Sequence, residues 1–124
     1  MELIIRNTTN RPIYDQIAGQ LKARILSGEL KPGEALPSIR ALAKDLKISV
    51  VTTKRAYDEL EAAGFLYTVA GKGCFVADKN PERVRESIAR DMETHLSAAI
   101  QLAKDGGMTY ADFRETARIL WEEE

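Results

Sequence analysis

Hydroxyl-bearing and cationic side chains lie close together in one short stretch near the middle of the chain. The stretch contains Ser49, Val51, Thr52, Lys54 and Arg55. Small hydroxyl groups can reach phosphate oxygens or base edges, and cations neutralise the charge of a nucleic-acid backbone. Such side chains on the exposed first turns of a helix suit the major groove of duplex DNA. This stretch therefore predicts a DNA-recognition helix.

The flanking residues predict the helices that position this stretch. A first helix begins after Ser38, whose hydroxyl can cap it, and its apolar face consists of Ile39, Leu42, Ala43 and Leu46. Lys47-Ile48 forms a short turn, and Ser49 caps the second helix. Gly64 ends that helix as a left-handed C-cap. The face that packs inward recurs at three- and four-residue steps and consists of Thr53, Ala56, Tyr57 and Leu60.

Two short strands follow the second helix, over residues 65–69 and 74–76. The residues between them, Ala70-Gly71-Lys72-Gly73, close a hairpin. Two glycines around one lysine place a cation at a loop tip where the backbone can approach a phosphate closely. The sequence therefore predicts a winged helix-turn-helix, in a mainly α fold with a small β wing and a C-terminal α-helical hairpin.

Three motifs carry a resemblance to a known family: GELKPGEALPSIRALAKDLKIS, TTKRAYDELEAAGFL and GKGCFV. Together they resemble the N-terminal domain of GntR-family bacterial transcription regulators, over about residues 10–78. The resemblance implies DNA contacts from Arg40, Ser49, Val50, Val51, Thr52, Lys54, Gly71 and Lys72.

The recognition helix departs from the family pattern at two places. Val50 and Val51 stand where relatives often carry polar or basic residues, and Lys54 stands where arginine is common. A lysine lacks the guanidinium fork that reads guanine with two hydrogen bonds. A valine can contact the methyl group of thymine, so the departures favour A·T pairs in the DNA target.

The overall charge does not indicate nucleic-acid binding. The chain has 18 Lys and Arg side chains and 19 Asp and Glu side chains, which gives a net charge of −1. Through Asp78 there are 11 basic against 9 acidic side chains, and from Lys79 onward 7 against 10. DNA affinity is therefore expected to depend on a local cluster of cations, namely Arg40, Lys44, Lys54, Arg55 and Lys72.

The single cysteine, Cys74, excludes an intrachain disulfide framework and fits a reducing cytoplasm. No signal peptide or membrane span is predicted, so we expect a cytoplasmic protein without a membrane partner. Neither a phosphate-binding glycine motif nor a metal-ligand cluster nor a nucleophile with a nearby base is present in the sequence, so no enzyme activity and no cofactor are expected. Cys74 as a redox switch and His95 as a metal ligand are weaker hypotheses than simple packing or surface positions.

The N-terminal region is expected to support the winged domain. Residues 1–9 are predicted to be extended, with a short strand at residues 3–5 (Leu-Ile-Ile). Asn10 is the predicted cap of a helix that runs to about Ser27, with Pro12 in its first turn. The four-residue repeat in this helix predicts a face buried in the core, formed by Ile13, Ile17, Leu21 and Ile25.

Two amphipathic helices are predicted after the wing, so the domains divide at residues 1–78 and 79–124. The first helix spans about residues 81–104, and Thr109 caps the second. The two apolar stripes cannot bury each other fully. The helices therefore either fold back on the winged domain or pack against a second copy of the chain, and we favour the second interpretation. The predicted dimerisation residues are Val84, Ile88, Met92, Leu96, Ile100, Tyr110, Phe113, Ala117, Leu120 and Trp121.

The short tail resembles that of the YtrA subfamily of GntR regulators. The resemblance implies a homodimer that represses an operon, commonly one encoding an ABC-type transporter. We therefore expect a repressor that binds an inverted-repeat operator in double-stranded DNA. The sequence leaves open whether a small-molecule effector of unknown identity is a further partner. The alternative is a winged-helix adaptor that binds proteins and not DNA.

Overall fold

The computed structural model describes residues 2–123, which form five helices and one two-stranded antiparallel sheet. The helices are α1 (Ile13–Ser27), α2 (Ile39–Leu46), α3 (Val50–Ala62), α4 (Pro81–Asp105) and α5 (Tyr110–Glu123), and the strands are β1 (Leu66–Val69) and β2 (Gly73–Val76). The predicted fold class, a winged helix-turn-helix followed by two C-terminal helices, is confirmed. Across these residues, no helix combines the length and apolar character that a membrane span requires.

The chain divides into two units, which meet at Arg83 and Val84, inside the first turn of α4. We call them the winged unit (residues 2–83) and the tail unit (residues 84–123). In the winged unit, α3 packs against both α1 and α2, and the buried side chains include Ile17, Leu21 and Ile25 of α1. The four residues of the inward face predicted for α3 are also buried, namely Thr53, Ala56, Tyr57 and Leu60. The core that holds the recognition helix is therefore the one that the hydrophobic periodicity indicates, except that Ile13, at the start of α1, is only half-buried.

The start of α1 differs from the prediction. Asn10 is not the cap, because the helix begins at Ile13 and the capping position is taken by Pro12, whose ψ of 152° is extended. A residue that precedes proline is sterically driven out of the helical region, which prevents Arg11 from continuing a helix begun at Asn10. The Pro12 carbonyl accepts the N–H groups of Asp15 and Gln16, so the first turn is closed by backbone alone.

The predicted strand at residues 3–5 is also wrong, since these residues form no ladder with another strand. Two glutamines, one turn apart on α1, bind the segment instead. Gln20 Oε1 accepts the Ile4 N–H at 2.8 Å and its Nε2 donates to the Ile4 carbonyl at 2.5 Å. Gln16 makes the same pair of hydrogen bonds to Arg6, at 2.8 and 2.9 Å. Because Ile4 and Arg6 are alternate residues of an extended chain, the side-chain amides satisfy the backbone as a neighbouring strand would.

Both α4 and α5 begin at a side-chain cap, and the one before α5, Thr109, is the cap that the sequence predicts. The Asn80 side chain accepts the Glu82 N–H at 3.0 Å just before α4. The Thr109 hydroxyl accepts the Asp112 N–H at 3.2 Å at the start of α5. Between them, Gly107 has a φ of 74°, a left-handed conformation that glycine adopts without a Cβ penalty. Local sequence therefore sets where α4 ends and α5 begins.

Candidate nucleic-acid interface

The turn between α2 and α3 is closed by a left-handed residue that is not glycine. Lys47 has φ 57° and ψ 47°, and among residues 2–123 it is the one non-glycine residue with a positive φ. Its N–H donates to the Lys44 carbonyl at 3.3 Å, and the Ile48 N–H donates to the Ala43 carbonyl at 3.0 Å. This Schellman pattern satisfies the last carbonyl groups of α2 and reverses the chain within two residues. The reversal brings Ser49 to the start of α3.

Two hydroxyl side chains organise the first turn of α3, the predicted recognition helix. Ser49 Oγ accepts the Thr52 N–H at 3.0 Å and donates its own proton to Thr52 Oγ1 at 2.7 Å. The cap therefore satisfies one of the free N–H groups of the helix start and fixes both hydroxyl groups. The N-terminal end of α3 thereby becomes a rigid element with partial positive charge.

Two valines project from this rigid turn. Val51 is 78% exposed and Val50 is 45% exposed, although valine is usually a core residue. No other large apolar side chain described in residues 2–83 is as exposed as Val51. The structure thus places both predicted contact residues on an open surface.

The two cations of α3 have partners within the chain. Lys54 Nζ lies 2.6 Å from Asp58 Oδ2, one turn further along the helix. The Arg55 guanidinium carbon lies 3.7 Å from the centroid of the Tyr14 ring, and Arg55 Nη2 donates to the Tyr14 hydroxyl at 3.0 Å. Arg55 therefore links α3 to α1, a stacking contact that sequence reasoning missed because the two residues are distant in the chain.

Two further predicted cations, Arg40 and Lys44, lie exposed on α2. Arg40 is the second residue of that helix, and Lys44 lies in its last turn. Because α2 ends at the turn that leads into α3, both side chains belong to the same helix-turn-helix as the recognition helix. The structure thus gives Arg40 the exposed position that the family resemblance requires of a DNA contact.

The wing carries the remaining predicted contacts at its tip. Strand β1 pairs with β2 in the register Leu66 to Val76 and Val69 to Gly73. The connecting turn is closed by the Lys72 N–H, which donates to the Val69 carbonyl at 2.9 Å. Gly71 has a φ of 76°, as the third position of a type II turn requires, so a larger residue would strain the tip. Gly71 and Lys72 are both exposed.

A third extended segment anchors the wing to the winged unit. Ala35 forms a β-bridge with Phe75, and the Leu36 N–H donates to the Cys74 carbonyl at 2.9 Å. On the other side of the bridge, the Gly33 N–H donates to the Val76 carbonyl at 2.8 Å. The sequence does not indicate this pairing, because a pairing this short has no readable alternation. The wing is therefore held by its base as well as by its own hairpin.

Cys74 lies half-buried on β2, and its surroundings disfavour a reactive thiolate. Burial raises the pKa of its thiol, although a hydrogen bond from Thr68, with Oγ1 3.8 Å from Sγ, partly opposes the shift. A thiol needs a lowered pKa to be nucleophilic at neutral pH. The structure supports the packing role over the redox hypothesis. In the described part of the chain, no group of His, Cys, Asp and Glu side chains could hold a metal ion, so His95 gains no metal partner.

Most of the predicted dimerisation residues are exposed in the single chain. On α4 these are Ile88, Met92, Leu96 and Ile100, and on α5 they are Tyr110, Ala117, Leu120 and Trp121. Val84 and Phe113 are half-buried. Trp121 is 85% exposed, an extreme value for the largest apolar side chain. Three further exposed residues lie outside the predicted set: Leu102, Met108 and Ile119. The tail unit therefore presents an uncovered apolar surface along both helices.

Comparison with known proteins identifies the family. The family model for bacterial regulatory proteins of the gntR family matches residues 13–76. YhcF, an uncharacterised HTH-type transcriptional regulator of Bacillus subtilis (strain 168), is 32% identical over 116 residues, 92% of this chain and 93% of YhcF. The HTH-type transcriptional repressor YtrA of the same organism is 40% identical over 70 residues, 56% of this chain and 54% of YtrA.

A solved complex shows what one domain of similar fold binds. The structure of AraR(DBD) in complex with operator ORE1 matches with a TM-score of 0.53 and 27% sequence identity. The match covers 62% of this chain and 94% of the AraR chain. The predicted resemblance is thereby confirmed: this chain belongs to the GntR family of bacterial regulatory proteins and is a YtrA-like, DNA-binding transcriptional regulator rather than an enzyme.

Proposed function

We propose that this regulator is a homodimeric repressor that binds an inverted-repeat operator. Residues 1–78 form the DNA-binding domain, and residues 79–124 form the dimerisation tail. The observation that carries the proposal is the uncovered apolar surface of α4 and α5, which includes Met92 at 59% and Trp121 at 85% exposure. A surface of this kind on a protein in water marks an interaction site.

A second copy of the chain is the partner that suits this surface best. Both helices present apolar side chains at helical spacing, so two copies related by a two-fold axis can bury the same stripe against itself. The large side chains Met92, Leu96, Leu120 and Trp121 would form the centre of such an interface, where aromatic residues and methionine are enriched. The charged residues between them would form its rim.

Dimerisation would set the form of the DNA target. Two recognition helices related by a two-fold axis enter successive major grooves about 34 Å apart on one face of the duplex, so the operator is an inverted repeat. In each half-site we assign contacts to α2, to the start of α3 and to the wing tip: Arg40, Ser49, Val50, Val51, Thr52, Lys54, Gly71 and Lys72. Arg55 is included because 61% of its side chain is exposed while it stacks on Tyr14.

Repression follows from occupancy, because a dimer that covers promoter DNA excludes the transcription machinery. The relative YtrA is named as a repressor, which supports this direction of control. The subfamily resemblance extends the proposal to an operon that encodes an ABC-type transporter. Footprinting on genomic sites bound by the full chain identifies the operon and tests this part of the proposal.

The central test combines mass and DNA binding of the full chain. Light scattering at micromolar concentration should give twice the monomer mass of 13.8 kDa. Anisotropy titration with an operator duplex should show a binding constant whose logarithm falls steeply and linearly with the logarithm of salt concentration. Lys72→Ala should weaken all duplexes alike and reduce the salt slope by about one unit. Lys31→Ala, which also removes an exposed lysine, is the matched control and should change neither.

Each outcome separates the alternatives. A monomeric mass at these concentrations would contradict the dimer. Failure to retain any duplex at low ionic strength would favour the protein adaptor instead.

A further inference from the structure

We propose that the start of α3 reads the C5-methyl groups of thymine through Val50 and Val51. In this view, apolar contact with thymine supplies the base preference of the helix, and charged contact with guanine does not. The inference rests on the proposed function, since it assigns chemistry to the same DNA-facing helix start. It adds the chemical class of the bases that the operator must carry there.

The exposure of the two valines is the first observation. A β-branched residue loses side-chain entropy in a helix. When its side chain is exposed, no hydrophobic burial offsets that loss. Val50 and Val51 nevertheless occupy the first two positions of α3, with Val51 78% exposed. In helix-turn-helix proteins, the N-terminal residues of the recognition helix contact base edges. The valines therefore present methyl groups where the major groove is read.

The neighbouring polar groups are the second observation, because each has a partner within the chain. The Ser49 hydroxyl accepts the Thr52 N–H and donates to the Thr52 hydroxyl. The Lys54 ammonium is paired with Asp58 at 2.6 Å. The Ser49 hydroxyl is thus used by the cap as donor and acceptor, the Thr52 hydroxyl is held by the Ser49 proton, and the ammonium is partly neutralised.

Arg55 supplies the third observation, since it is the only arginine in α3. Reading guanine with two parallel hydrogen bonds requires a guanidinium aimed at the base edge. The Arg55 guanidinium instead lies on the Tyr14 ring, with its carbon 3.7 Å from the ring centroid. Its contact with α1 makes it a positioning residue for α3 rather than a reader of guanine.

Thymine is the base that matches a methyl-bearing surface. Its C5-methyl group projects into the major groove, whereas adenine, guanine and cytosine carry no methyl group there. Burying one methyl group against a valine is expected to strengthen binding about fourfold. Specificity of this kind depends on the methyl group alone. That group can be removed from a thymine without altering base pairing.

The test starts from a duplex that the full chain selects from a random library. Each thymine of that duplex is replaced singly by deoxyuridine, which lacks the methyl group and keeps every hydrogen-bonding atom. Anisotropy titration should show about a fourfold loss at one or two positions in each half-site. Replacing each guanine by 7-deazaguanine should change the affinity by less than about twofold at the positions beside α3.

Variants connect the DNA positions to the side chains. Val51→Ala should remove the thymine sensitivity at one position, and Val50→Ala should remove it at a neighbouring position. Both residues are exposed, so neither change should impair folding. Ile4→Ala truncates an exposed branched side chain outside the helix-turn-helix and should leave every thymine sensitivity intact.

The outcomes distinguish this inference from the function on which it rests. Operator binding with no thymine sensitivity, or with greater loss at 7-deazaguanine than at deoxyuridine, would overturn the inference and leave the repressor proposal standing. Thymine sensitivity that persists unchanged in both valine variants would also overturn it. Absence of duplex binding altogether would overturn the proposed function as well.

Discussion

The winged unit and the tail unit are both mainly helical and both amphipathic, yet they use their apolar residues differently. In the winged unit the apolar stripe of α1 is closed over by α3, and Ile17 and Leu21 are fully buried. In the tail unit the corresponding stripe of α4 remains open, with Met92 59% exposed. The same periodic pattern thus yields a self-contained core in one unit and an open surface in the other.

The difference shows that amphipathic periodicity identifies an apolar face without identifying what covers it. In the winged unit, α3 packs against α1, α2 and β1, so three helices and a small sheet share one core. In the tail unit, two consecutive helices have too little surface between them to bury both stripes. The stability of the winged unit should therefore be intrinsic, and that of the tail unit should depend on association.

The largest expected effect is on the closed core. Leu21→Ala should lower the free energy of unfolding by about 3 kcal/mol, because it leaves a cavity under α3. Urea titration followed by circular dichroism measures the change. The same truncation at exposed Leu120 should destabilise only the associated form, so its effect should disappear on dilution. A large, concentration-independent loss at Leu120 would contradict the contrast between the two units.

The second expected effect is on the open stripe. Leu96→Glu should separate the copies, since it places a carboxylate at the centre of the proposed interface. Operator affinity should then fall at least about a hundredfold, because the two half-sites no longer bind as one unit. Light scattering and anisotropy titration measure both changes. Thr94→Glu adds the same charge on the opposite side of α4 and should leave mass and affinity unaltered.

A smaller effect is expected at a buried hydrogen bond of the winged unit. The Tyr57 hydroxyl donates to the Pro37 carbonyl at 2.7 Å, which ties α3 to the segment before α2. Tyr57→Phe should cost about 1 kcal/mol of unfolding free energy at neutral pH, as urea titration can measure. An unchanged stability would show that water replaces this bond without loss.

The same tyrosine gives a pH dependence. Burial, with a smaller coulombic contribution from Cys74, raises the pKa of Tyr57 above its ordinary value. Because the folded state then holds the phenol proton more tightly, stability is fully present below about pH 10 and falls as pH rises beyond it. Urea titrations at increasing alkaline pH should show this decline in the wild type and a shallower one in Tyr57→Phe. Equal declines would assign the titration to other groups.

The smallest expected effect is at the turn of the helix-turn-helix. Lys47 is held at φ 57°, where an L-residue is disfavoured by about 1 kcal/mol. Lys47→Gly should therefore stabilise the winged unit by up to about that amount, less the entropy that glycine adds to the unfolded chain. The midpoint of thermal unfolding reports the change. A lower midpoint would mean that the Lys47 side chain contributes more than its backbone strain costs.

Much of the winged unit could be predicted because its signals are local. Ser38 and Ser49 each cap a helix through a side chain and a backbone N–H three residues apart, which sequence alone can indicate. Thr109 does the same in the tail unit. The hairpin tip follows in the same way from its glycines. The failures are of another kind. Asn10 was displaced as a cap because Pro12 imposes its own backbone preference, and the predicted strand at residues 3–5 was replaced by side-chain hydrogen bonds to Gln16 and Gln20.

The candidate interface was predictable by residue type but not by the partner of each side chain. The hydroxyl groups and cations of α3 were evident from the sequence. The stacking of Arg55 on Tyr14 was not, because 41 positions separate the two residues. The bridge between Ala35 and Phe75 was missed for the same reason, since pairing over 40 positions leaves no periodic trace.

The sequence by itself determined the helices, the side-chain caps of α2, α3 and α5, the wing and the apolar faces, because those features depend on residues within a few positions of one another. Only the tertiary structure decided which apolar faces are closed, which cations are paired and which valines remain open to a ligand. These depend on contacts between residues far apart in the chain, whose formation is governed by shape and packing rather than by local preference.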